Sequence, residues 1–305
     1  MREKPFISAP VLALLAASTL WASSFIALKV AFRHYDPMVV IFGRMFVATL
    51  CFAAFRKNFR NVNYQPGDWK WLLFMAFCEP CCYFVFEAMA LQNTQASQAG
   101  MIVAMLPLMI AVGARFWLGE IITRRTISGF LLAVVGAVLL SLGAQETDAS
   151  PHPVLGNVLE LMAMVCATGY MLTLKRLCVR YSPWFLTAVQ ATTGSVFFLP
   201  SLFLPGTELP AHFSLEGALM ILYLGAGITI GAYGLYNYGV SKIPAHQASA
   251  FTNLIPVITL VLGWAILGER LTLLQYLASG VVLLGVVLSQ DRRAHREQGA
   301  LAGGE

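Results

Sequence analysis

The sequence predicts an all-α integral membrane protein of ten transmembrane helices, arranged as two inverted five-helix repeats with both termini in the cytoplasm. Three observations carry that prediction. Hydrophobic residues fill 58% of the 305 positions and charged residues only 11%, too little polar surface to clothe a soluble globule. Apolar stretches of about 20 residues, the length a helix needs to cross roughly 30 Å of hydrocarbon, recur from end to end. The chain also reads twice: Ala96-Ser97-Gln98-Ala99, Pro107 and Leu118-Gly119-Glu120 return at one constant offset as Ala245-His246-Gln247-Ala248, Pro256 and Leu267-Gly268-Glu269. The front of each half agrees, with Leu28-Lys29 and Tyr35-Asp36-Pro37 answered by Leu174-Lys175 and Tyr181-Ser182-Pro183.

Taken in order, the first span, 9–32, is too long for the core of a cleavable signal peptide and carries Trp21 and Ser24. The second, 37–55, holds Arg44, and the third, 69–91, holds Glu79, Tyr83 and Glu87. The fourth, 95–117, bears Gln98, Met101 and the mid-helix Pro107; the fifth runs over 124–143. Residues 144–153, small, acidic and Pro-containing, make an external linker between repeats at 9–143 and 154–290. The sixth span, 154–180, carries Glu160 and Tyr170, and the seventh is 183–204. The eighth, 214–241, is glycine-rich, and the GxxxG spacing of Gly227 and Gly231 points to close helix packing. The ninth, 244–267, holds His246, Asn253 and Pro256, and the tenth is 272–290. The tail, 291–305, charged and then Gly/Ala-rich, reads as a disordered cytoplasmic segment.

Charge sets the topology. With the N-terminus inside, all of the 20 Lys and Arg residues except Lys29, Arg33, Arg44 and Arg270 fall on the cytoplasmic side or its interface. Five helices per repeat is an odd number, so the second repeat enters the membrane upside down. Paired inverted repeats can exchange conformations and expose a central site to one side and then the other.

The paired Pro and Leu-Gly-Glu elements, the run Trp21-Ala22-Ser23-Ser24-Phe25 and the pair Gly43-Arg44 resemble the drug/metabolite transporter superfamily, specifically its ten-helix EamA-type members. The resemblance extends from about Val11 to Gln290. It implies a secondary carrier, usually an exporter of small metabolites, with a cavity lined by the first, third, fourth, sixth, eighth and ninth helices. It implies no particular substrate.

Arg44, Glu79, Glu87 and Glu160 are the costly residues, since a charge in the bilayer costs on the order of 2.5–3.5 kcal/mol even on the lenient insertion scale. Depth along the helices allows Arg44 to pair with Glu87 or Glu160, as a structural anchor. Glu79, Tyr83 and Glu87, at i, i+4 and i+8, share one stripe that must face a cavity or a buried partner. Glu79 or Glu87 is the expected proton-coupling group or the site for a substrate cation; a fully paired structural carboxylate is the competing reading. Trp21, Ser24, Gln98, Met101, Glu160, Tyr170, Tyr233, Tyr236, Asn237, His246 and Asn253 are expected to complete the chamber, in the way aromatic walls with scattered amides suit an amphipathic solute. Pro107 and Pro256 are bends or hinges at equivalent places. Gly119-Glu120 and Gly268-Glu269 read as corners, each Glu capping the next helix at Thr123 or Thr272.

Cys78, Cys81 and Cys82 mimic a metal or redox spacing but have no second Cys/His pair in reach, so no metal and no cofactor is expected. The expected partners are a small-molecule substrate and the lipid bilayer, and the net charge of +5 reflects loops meeting anionic lipid rather than nucleic acid. A monomer is compatible with this reading. The function expected is export of a small amino-acid-like or amphipathic metabolite across the inner membrane, with proton antiport. Import of a vitamin-like solute and export of a larger amino-acid-derived chelator are the alternatives. A membrane-embedded enzyme is the weakest, for no His-Glu-x-x-His, Gly-x-Ser-x-Gly or phosphate-binding loop occurs.

Overall fold

The computed structural model describes residues 8–54, 64–118, 122–242 and 251–289. Its apolar stretches form α1 (Ala9–Ala31), α2 (Pro37–Ala54), α3 (Asp68–Asn93), α4 (Ala96–Trp117) and α5 (Arg124–Leu142) in the first half. The second half forms α6 (Pro153–Leu177), α7 (Pro183–Phe203), α8 (Leu215–Lys242), α9 (Phe251–Leu267) and α10 (Leu273–Ser289). The first eight are long and apolar enough to cross a membrane, and α9 and α10 are shorter apolar helices. The expected beginning of the ninth span, with His246, lies outside the described residues, as do Glu120 and the tail.

Helix starts follow from local chemistry. Pro10, Pro37, Pro153 and Pro183 occupy first turns, where a missing N–H leaves no bond unmade. Ser182 and Ser214 cap α7 and α8 by accepting from the amides of Phe185 and Gly217, each at 3.2 Å. Thr123 caps α5 in the same way. Glu269, however, does not cap α10. That helix begins on a reciprocal pair in which Gln275 accepts from the Thr272 amide at 2.8 Å and Thr272 Oγ1 accepts from the Gln275 amide at 3.3 Å. The left-handed turn at Gly268 (φ 70°) instead aims Glu269 across at α4. There its carboxylate accepts from the amides of Ala96 and Ser97, both at 2.8 Å, and from Ser97 Oγ at 2.6 Å. The negative charge meets the positive end of a helix from the opposite repeat.

The two repeats hold each other by matched contacts. On the outer side the Tyr35 hydroxyl donates to the carbonyl of Ser214 at 3.0 Å and accepts from its amide at 2.8 Å, pinning the start of α8. On the inner side its repeat counterpart, Tyr181, donates to Asp68 at 2.7 Å and pins the start of α3. Arg180 reinforces the inner latch with an ion pair to Asp68 at 3.0 Å, and His34 Nε2 reinforces the outer with a hydrogen bond to Glu216 at 2.9 Å. Helices α5 and α10 pack along each other through glycine: a Cβ on Gly285 would stand 2.6 Å from Gly129 O and from Ala133 N.

In α8 the expected close packing at Gly227 and Gly231 does not form, since a Cβ on Gly231 would have no neighbour nearer than Leu20 Cδ1 at 3.6 Å and one on Gly227 would meet only Tyr223 of its own helix. The close approaches fall instead at Gly225, beside Arg44 O, and Gly234, beside Trp184. The reason is that residues Tyr223–Ala232 wind as a π-helix, which shifts the faces of the glycines.

Candidate functional site

Helix α3 is interrupted where the sequence places Pro80. Proline has no N–H to continue the ladder, and Glu79 before it adopts extended angles (φ −148°, ψ 115°). The carbonyl of Glu79, freed from the helix, accepts from Gln190 Nε2 at 2.8 Å. Irregular backbone at membrane depth must be satisfied by neighbouring protein, and Gln190, the repeat counterpart of Arg44, does this. The Glu79 carboxyl, only 5% exposed, is held by a hydrogen bond from the Tyr233 hydroxyl.

Two helical turns on, Tyr83 donates to Glu87 Oε1 at 3.0 Å, and Arg44 Nη1 stands 3.8 Å from Glu87 Oε2. The guanidinium lies over the Phe84 ring, 4.0 Å from its centroid. Arg44 and Glu87 are buried together, so each offsets the desolvation of the other.

These groups surround a cavity of about 40 Å³. A cavity of this measure holds roughly three waters. Its walls are Trp21, Ser24 and Phe25 of α1, Arg44 of α2, and Glu79, Tyr83, Phe84 and Glu87 of α3. Val103 and Leu106 of α4, Met164, Ala167 and Met171 of α6, Tyr233 of α8, and Thr252 and Ile255 of α9 close it. The helices are those the resemblance implies, with α2 added through Arg44.

Of the residues singled out from sequence, Trp21, Ser24, Glu79, Tyr83, Glu87 and Tyr233 meet here. Tyr170, Tyr236 and Asn237 lie behind the wall. Tyr170 donates to Asn237 Oδ1 at 3.2 Å, Asn237 Nδ2 donates to Thr187 at 3.0 Å, and the Tyr236 ring backs Trp21 at 4.7 Å. Gln98 is off the wall, accepting from Asn157 Nδ2 at 3.1 Å; Met101 is buried in the core, and Asn253 adjoins the lining residue Thr252 without lining the cavity itself. Glu160 is fully buried behind Glu87.

Both proline helices bend at matched positions. In α4 the amides of Ala104 and Met105 bond back three residues rather than four, to Met101 and Ile102, just before Pro107. In α9 the tight turn Phe251–Asn253 precedes Pro256.

The chain matches the EamA-like transporter family over residues 8–142 and again over 154–290. It belongs to that family. An uncharacterized transporter of Archaeoglobus fulgidus is 28% identical over 90% of this chain and 96% of its own length. The Bacillus subtilis uncharacterized transporter YetK is 27% identical over 72% of this chain and 67% of its own. A probable terminal-alkyne amino-acid exporter of Streptantibioticus cattleyicolor is 24% identical over 96% of this chain and 97% of its own. One solved crystal structure superposes with a TM-score of 0.66 over 92% of this chain and 98% of its own, at 18% identity, a likeness of fold alone. The protein is thus a multi-pass membrane protein whose family and relatives are those of a transporter rather than an enzyme.

In this EamA protein the cavity straddles the boundary between repeats. Trp21 is the counterpart of Ala167, Phe25 of Met171, Val103 of Thr252 and Leu106 of Ile255, and all eight line it. Projecting the known half of the wall onto the other repeat is the signal that finds Ala167, Met171, Thr252 and Ile255 in the sequence. The chemistry is less symmetric than the geometry. Arg44, Glu79 and Glu87 all come from the first repeat, opposite neutral walls from the second.

Proposed function

We propose that this chain is a secondary transporter of the inner membrane that exports a small amino-acid-like or amphipathic metabolite by alternating access, with proton movement in the opposite direction. The observation that carries the reading is the chamber between the repeats, where one guanidinium and two carboxyls stand beside Trp21, Phe25, Phe84 and Tyr233. Such a site can meet both ends of a zwitterion while its rings take an apolar side chain. A relative that spans nearly the same length is described as a probable amino-acid exporter, which supports the substrate class. The volume of about 40 Å³ is smaller than an amino acid needs, so the conformation is read as a closed one, emptied between transport events.

The test is untargeted metabolite profiling of cells and medium from matched strains lacking or expressing the protein, repeated with Glu79→Gln and Glu87→Gln. Export predicts at least one amino-acid-like compound in the medium with the wild type and its retention inside with either variant. Accumulation inside would make the protein an importer, and wild-type behaviour of both variants would remove the carboxyls from the site.

A further inference from the structure

Glu160 stands apart from the other charged groups of the membrane interior. Its side chain has no exposure, and neither carboxyl oxygen has a hydrogen-bond partner. Helix α6 lies against α3 at Gly156, where a Cβ would meet Ala90 and Thr94, and at Gly169, where it would meet Cys78. Glu160, one turn on from Gly156, therefore faces the turn of α3 that carries Glu87, with Tyr83 one turn away and Arg44 of α2 standing 3.8 Å from Glu87. Helix α6 also packs on α4, α5 and the Phe77–Cys82 segment of α3. The outer halves of α4 and α5 bring no titratable side chain, and Cys78 of that segment meets α6 farther along, at Gly169. On α6 itself the nearest titratable residue is Cys166, and His152 stands just before the helix begins.

Charge bookkeeping fixes the rest. Arg44 supplies one positive charge, and Glu87, within ion-pair distance of it, supplies one negative. A second carboxylate with no donor would leave a net charge in a medium that does not solvate it. The neutral arrangement of the three is therefore one cation, one carboxylate and one carboxylic acid, with the proton on the carboxyl that has no donor. Arg44 is not locked to Glu87 either, for the pair is loose at 3.8 Å and the guanidinium Nε has no partner.

We propose that Glu160 is a proton-carrying site of this transporter, sharing one proton with Glu87 while Arg44 neutralises whichever of the two is ionised. In the transfer the O–H bond of Glu160 breaks and one forms on a Glu87 oxygen; the electron pair stays on Glu160, and the net charge of the three does not change. Glu160 lies seven residues beyond Pro153, about 10 Å from the outer end of α6, so the pair links the outer side to the cavity. The proposal rests on the transport reading above and names the residues of its coupling step.

The test is infrared spectroscopy of the full chain in phosphatidylethanolamine/phosphatidylglycerol vesicles, following the carbonyl stretch of carboxylic acids as pH is raised. The wild type should show a band from Glu160 at neutral pH that disappears on alkalinisation and is missing in Glu160→Gln. In Glu87→Gln the same band should also be lost at neutral pH, because Arg44 then requires Glu160 to ionise; in Glu79→Gln it should persist. A spectrum unchanged in Glu160→Gln, a Glu160-dependent band that persists in Glu87→Gln, or one that never titrates would each overturn the proposal. Unfolding temperature and helix content near wild-type values guard against a misfolded variant, and Glu160→Asp, which restores an acid, should restore a titrating band. If the bands behave as expected but profiling finds no solute moved, the transport reading fails and the shared proton stands.

Discussion

Arg44 and Glu87 are each buried to within a few per cent and meet at 3.8 Å. Arg44→Gln removes the only cation on the cavity wall among the described residues and should lower unfolding stability by about 3–5 kcal/mol, the usual consequence of leaving a buried partner charged. Adding Glu87→Gln should recover most of that loss, and thermal unfolding of the two variants in detergent measures the difference. Tyr233 presents a milder case. It gives Glu79 its hydrogen bond, so Tyr233→Phe should cost about 1–3 kcal/mol in the same measurement. The acids and Arg44 were legible from sequence because charge in an apolar run demands a reason. Which carboxyl lies on the wall and which behind it was not, since that depends on how α3 and α6 are rotated about their axes.

At the scale of elements, span positions were readable to within a few residues because length and hydropathy are properties of the chain in one dimension. The faces were not. Gln98 and Met101 were expected on the wall, yet Val103 and Leu106 occupy it. Glu79 was expected in a continuous stripe, and it reaches the cavity through a helix break that hydropathy does not register. Glu269 was expected to serve its own corner and instead ties α4 to α9. Glu269→Ala should speed hydrogen exchange at the amides of Ala96 and Ser97, which donate to it, while leaving the glycine-packed pair α5 and α10 protected. Equal protection of those amides in the variant and the wild type would show the tie to be dispensable.

For the molecule as a whole, the matched cavity walls make a further expectation. Ala167 fills the position that Trp21 fills in the first repeat and is the smallest residue on the wall. Ala167→Leu should occupy much of the open volume and abolish the solute movement seen in profiling, while the protein still folds and reaches the membrane. Undiminished export would place the solute path elsewhere. The repeat itself was the most legible feature of all, since it is written in the residues; its spatial use, each half pinning the start of a helix in the other, depends on side chains that sequence separates widely.

The two tyrosine latches also impose an order of manufacture. Asp68 waits for Tyr181, 113 positions further on, and Tyr35 waits for Ser214, 179 positions further on. During synthesis the first five helices therefore enter the bilayer with both ends of the eventual interface unfilled, and no single repeat can complete itself. A ribosome that stops before α8 leaves a product whose outer latch has nothing to hold, an object for quality-control proteases rather than a smaller transporter.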